Sequence, residues 1–100
     1  MRTAALRIAP EHPAFAGHFP GQPLLPGVSL LAEVLELLLA DPALATRIGP
    51  APRIASAKFL APVRPGAQLV VRLAASTRGV RFEVREGERV AASGEFEVST

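Results

Sequence analysis

The chain has 100 residues and a formal net charge of +2. That length suits one domain, expected over residues 1–100. The absence of cysteine excludes disulfides and thiolate metal sites, and two histidines without a carboxylate cluster argue against a metal centre. Five phenylalanines with no tyrosine or tryptophan leave little for stacking on bases, and no apolar run reaches the ~20 residues a bilayer span needs, so neither nucleic acid nor membrane is expected as a partner.

Eighteen of the 49 hydrophobic residues are alanines, which bury little area each. A domain of this size hides roughly 60–65% of the surface its unfolded chain exposes. A core built this way is completed by a partner, and a second copy of the chain is the simplest one, so a homodimer is expected. Met1 to Pro10 is too short an apolar stretch for a signal peptide and is broken by Arg7, so a soluble cytoplasmic protein is expected.

In chain order, Thr3 to Ile8 reads as a strand ended by Pro10. Glu11 to Gly27 is dense in proline and glycine and reads as loop. Val28 to Leu39 reads as a helix, stopped by Asp41-Pro42 and apolar almost all round, which marks a buried helix. Its polar residues, Ser29, Glu33 and Glu36, are spaced by four and three and share a stripe. Residues 42–52 read as a proline-rich connection. The period then becomes two: strands are expected over Arg53 to Ala61, Leu69 to Ser76, Val80 to Arg85 and Arg89 to Val98, joined at Pro65-Gly66, Thr77-Arg78-Gly79 and Glu86-Gly87. One strand, one long helix and four more strands make an α+β chain, an antiparallel sheet of about five strands wrapped on a single buried helix. No glycine fingerprint for a dinucleotide is present, so no nucleotide cofactor is indicated.

The stretch Gly-His-Phe-Pro-Gly-Gln-Pro-Leu-Leu-Pro-Gly, residues 17–27, pins His18 in a loop stiffened by Pro20, Pro23 and Pro26, directly before a helix N-terminus. An unperturbed imidazole titrates at about 6.5, which suits a base near neutral pH, and the first N–H groups of a helix favour developing negative charge. A base beside an oxyanion site is a minimal arrangement for chemistry alpha to a carbonyl. His12, followed by Pro13, reads as a brace for this loop, and Phe15 and Phe19 as pocket lining or loop packing.

The string HPAFAGHFPGQPLLPGVSLL, residues 12–31, resembles the 3-hydroxyacyl-acyl-carrier-protein dehydratases of the hotdog fold, and most of all the small dehydratase-like proteins of fatty-acid and aryl-polyene-type pathways. Lys58 to Gln68, KFLAPVRPGAQ, resembles a second strand-and-turn motif of that family, with Ala67 where an acidic residue is usual. The resemblance implies a dimeric hotdog domain that dehydrates a 3-hydroxyacyl thioester, carried on acyl carrier protein or coenzyme A, to the trans-2-enoyl thioester, with no separate cofactor. It implies His18 as the base, the N–H groups of Gly27 and Val28 on the thioester oxygen, and Leu31 and Ala32 beside Phe15 and Phe19 at the acyl pocket. The family's acid lies on the helix five residues after the last motif glycine, supplied by the other subunit. Here that position is Ala32. Glu36 lies one helical turn on, where a Gln commonly sits in the family, and takes the acid role, or failing it Glu33. The same alanine leaves open a non-catalytic acyl-binding or partner subunit, and the fold also supports thioester hydrolysis.

Between Pro42 and Phe82 lie seven basic residues and no acidic one. Such a face suits an acidic carrier protein or the phosphates of coenzyme A.

Overall fold

The computed structural model describes residues 1–15 and 24–98. Its elements are β1 (Arg2–Arg7), a single 3-10 turn at Pro13–Phe15, α1 (Gly27–Ala40), α2 (Pro42–Ile48), β2 (Arg53–Phe59), β3 (Gln68–Ala75), β4 (Gly79–Glu86) and β5 (Arg89–Glu97). The strands form one antiparallel sheet in the order β1-β3-β4-β5-β2. The alternation seen in the sequence sets its two faces. Leu69, Val71 and Leu73 of β3 and Val80, Phe82 and Val84 of β4 point to the same side and are buried there with Ala92 and Phe96 of β5. Leu30, Val34 and Leu38 of α1 close that core from the helix side. The expected sheet-on-helix arrangement is present.

Two expectations need correction. The proline-rich connection contains a second helix. Asp41 does end α1, but its Oδ1 then accepts the N–H groups of Ala43 (3.0 Å) and Leu44 (3.2 Å), with Pro42 in the first turn, where its missing N–H costs nothing. Gly49, at φ 77°, closes this helix. Its Arg47 donates to the carbonyls of Ser76 and Gly79, tying α2 to the β3–β4 turn.

The other correction concerns α1, which is not buried all round. Leu30, Val34 and Leu38, spaced by four, form its only buried row among the described residues. Val28 is 75% exposed, and Ala32, Glu36 and Leu39 are exposed as well. The leucine-rich composition that suggested complete burial supplies one inward row and an uncovered apolar flank.

The second edge of the sheet, β2, continues that flank. By register Ile54, Ala57 and Phe59 sit opposite Phe96, Gly94 and Ala92, and so share the inner face. Ile54 and Phe59 are nevertheless about half exposed, as is Leu60 just beyond. Next to it, β5 carries a bulge: Val84 pairs with Ala92 and Arg85 with Val90, leaving Ala91 extra. The Ala91 carbonyl accepts the N–H groups of Leu60 (2.8 Å) and Ala61 (3.2 Å), which ends β2 and turns the chain inward to buried Val63.

Candidate active site

The two sequence motifs meet in space. Leu25, buried, donates its N–H to the carbonyl of Val63 at 2.8 Å, so the segment entering α1 is laced to the β2–β3 connection. Farther along that connection, the Pro65-Gly66 turn, with Gly66 at φ 83°, is fixed on β1: Gly66 donates to Ile8 (2.7 Å) and Ile8 to Ala67 (2.9 Å). Ala67 is buried in this turn.

The start of α1 is therefore held rigidly, and it is open. The Pro26 carbonyl accepts the N–H groups of Ser29 (3.0 Å) and Leu30 (3.1 Å). Gly27 and Val28 precede them, so their N–H groups have no intrahelical carbonyl to meet. Among the described residues no side chain caps this terminus, and its first turn holds no acidic residue. The end of a helix in this state attracts negative charge.

Phe59 covers one side of it. A Cβ on Gly27 would lie 2.7 Å from the Phe59 Cζ, inside contact distance, so glycine is what lets the ring of β2 lie against the first turn of α1. The sequence reading passed over Phe59, although its place inside the KFLAPVRPG motif was the available signal.

The two carboxylates separate. Glu33 is half-buried, its Oε1 3.5 Å from Nε2 of His12. Glu36 is exposed on the uncovered flank of α1, with Val28 and Ala32. His12 is anchored at the 3-10 turn: its Nδ1 accepts the N–H of Ala14 at 3.0 Å, and its ring stands edge-on to Phe15 at 6.1 Å. Phe15 and Leu31 pack partly against the core, whereas Ala32 is exposed. His18 and Phe19 lie outside the described residues.

Of two surface hollows among the described residues, one of about 470 Å³ lies on the outer face of the sheet around Lys58, Arg72, Glu83 and Glu95. The other, about 420 Å³, is bordered by Arg47, Arg53, Arg78 and Glu97 at the β3–β4 turn. Neither adjoins Gly27. The basic segment is also not one free face, since Arg47 holds two carbonyls, Arg53 pairs with Glu97, and Arg72 stands 3.9 Å from Glu83.

A five-stranded antiparallel sheet closed by a helix that follows a His-Phe-Pro-Gly sequence defines a hotdog-fold protein. The comparisons agree. The ApeI-like family, described as ApeI dehydratase, matches residues 1–95, and the chain belongs to that family. The 3-hydroxyacyl-[acyl-carrier-protein] dehydratase FabZ of Chlamydia trachomatis is 35% identical over 108 residues, covering 93% of this chain and 68% of that protein. FabZ of Symbiobacterium thermophilum is 34% identical over 83 residues, covering 77% of this chain. There the chain spans only 58% of its relative's length. Among solved structures, the dehydratase heterocomplex ApeI:P from Xenorhabdus doucetiae matches 95% of this chain and 83% of its own, with a TM-score of 0.78 and 29% identity. The fluoroacetyl-CoA-specific thioesterase FlK, at 17% identity and a TM-score of 0.65, shares the fold.

Proposed function

We propose that the protein dehydrates a 3-hydroxyacyl thioester to the trans-2-enoyl thioester, in a site shared between two copies of the chain. The observation that carries this reading is the start of α1, where no side chain among the described residues forms a cap and the N–H groups of Gly27 and Val28 have no intrahelical partners, a few residues after His18 in the sequence. In this reading the two N–H groups hold the thioester oxygen as it gains charge. His18 removes the alpha proton. The hydroxyl on the beta carbon leaves with a proton from an acid, as water, while the alpha–beta double bond forms.

Glu36 is the acid of this scheme. Glu33 is turned to His12 of its own chain, whereas Glu36 stands on the flank of α1 that a single copy leaves uncovered. Val28, Leu39, Ile54, Phe59 and Leu60 give that flank its exposed apolar surface. A second copy laid along β2 covers it and carries its own Glu36 towards the first copy's helix start. Such a closed, two-fold contact also pairs the open edge of β2. The solved Xenorhabdus relative is a heterocomplex, so a different chain is the competing occupant of the same flank.

The substrate's handle is a phosphopantetheine thioester, on acyl carrier protein or coenzyme A, and places the reaction in fatty-acid or aryl-polyene-type synthesis in the cytoplasm. No helix among the described residues is long and apolar enough to cross a membrane. Incubation with 3-hydroxyacyl thioesters tests the reading: enoyl absorbance supports the dehydratase, free thiol a thioesterase, and neither product the partner-subunit alternative that Ala32 keeps in play.

A further inference from the structure

We infer that His12 and Glu33 are positioning residues, a polar tie that fixes the chain entering residues 16–23 to the second turn of α1. The geometry begins with the tautomer. Nδ1 of His12 accepts the Ala14 N–H at 3.0 Å, so in the neutral ring the proton sits on Nε2. Nε2 is the atom that faces Glu33, at 3.5 Å from Oε1. That separation is long for a direct hydrogen bond and within the range from which polar contacts tighten when substrate binds.

Everything around the ring holds it for that task. His12 N–H donates to Ala9 (3.0 Å), and the His12 carbonyl accepts from Phe15 (3.0 Å) across the 3-10 turn. Phe15 packs on the core and presents its ring to the imidazole. Both His12 and Glu33 side chains are 23% exposed, shielded enough for orientation to matter. The far end of the same stretch is held by Leu25 on Val63. In the sequence His18 lies six residues after His12 and seven before Leu25, and both of those residues are tied to the region around α1: Leu25 at the helix start and His12 through Glu33 one and a half turns in. Glu33 acts here as an acceptor, not as a proton donor, so its charge is dispensable and its oxygen is not.

The inference rests on the dehydratase reading for its rate measurement and on no reading for its spectroscopy. Three variants are compared: Glu33→Gln, Glu33→Leu and His12→Asn. Gln keeps an oxygen for Nε2–H. Leu removes it. Asn can still take the Ala14 N–H but is too short to reach position 33. Loss of the tie is expected to lower kcat by roughly 10–100-fold with little change in KM, as for a misplaced catalytic group. Glu33→Gln keeps most of the turnover, and Glu33→Leu with His12→Asn is no worse than either alone, the mark of one shared interaction. In nitrogen-15 spectra the wild-type His12 ring shows the Nε2–H tautomer, and Glu33→Leu shifts the amides of residues 17–22 while Glu33→Gln leaves them in place. A Gln variant as damaged as the Leu variant overturns the inference and returns the proton to Glu33; so do unchanged amides in Glu33→Leu. A wild type that forms no enoyl product from any 3-hydroxyacyl thioester defeats the dehydratase reading instead, and the spectra then decide the tie alone.

Discussion

Phe59 lies against Gly27 so closely that a Cβ there would stand 2.7 Å from its ring. The contact joins the free edge of the sheet to the start of α1, and it leaves one face of that helix end shielded by an aromatic ring. Shielding from water strengthens the pull of the Gly27 and Val28 N–H groups on a developing charge.

A methyl group at position 27 separates the two effects. Phe59 is 51% exposed and its ring can swing away, so Gly27→Ala is expected to change stability by less than about 1 kcal/mol. Turnover is expected to fall about 10-fold or more, because the ring leaves the helix end. Chemical denaturation beside steady-state kinetics checks both halves.

Asp41 both terminates α1 and caps α2, so its removal is costly for an exposed turn. Asp41→Ala is expected to cost about 1 kcal/mol, and Asp41→Asn much less, because Asn keeps the oxygen that Ala43 and Leu44 use. Urea midpoints of the three proteins measure this.

That aspartate also shows where the sequence was hard to read. Asp41-Pro42 is a sound stop signal and an equally sound start signal, and only seven residues follow before Gly49, too few for a periodic pattern to declare itself. The strands were legible because Val80, Phe82 and Val84 alternate with Arg81, Glu83 and Arg85. The extent of burial of α1 was not. Val28 and Leu39 are as apolar as Leu30 and Leu38, and what distinguishes them is an open flank that tertiary structure alone reveals. At the site, the motif indicated Gly27 and Val28 correctly as the opening of a helix. The different surroundings of Glu33 and Glu36 were hidden, since they depend on His12, twenty-one positions from Glu33 in the chain, reaching the second turn.

Arg64 is the exposed basic residue next to Val63, whose carbonyl receives Leu25 at the entry to the helix. It is the better test of carrier docking than Arg53, which is engaged with Glu97. Arg64→Glu is expected to raise KM for carrier-protein substrates several-fold, most strongly at low salt, while short synthetic thioesters are unaffected. Equal losses on both substrates indicate damage to the pocket.

If Glu36 crosses from one copy to the other, two dead variants revive each other. His18→Ala and Glu36→Gln are each expected to lose about 10²–10⁴-fold in rate. Mixed and allowed to exchange subunits, they form hybrid dimers with one intact site, and about a quarter of wild-type activity returns by the symmetry of a two-fold pair. No recovery, with light scattering confirming exchange, places the acid in the same chain as its base or in a different partner.

The most direct measurement is the absorbance of enoyl thioester formed from a 3-hydroxyacyl thioester by the wild-type protein, followed beside His18→Ala and Ala32→Glu. The account predicts enoyl product from wild type, a fall of at least about 10²-fold in His18→Ala, and activity in Ala32→Glu that survives the added Glu36→Gln change. A wild type without enoyl product, together with an Ala32→Glu variant that gains it, would contradict the account and mark the chain as a subunit that has lost its acid.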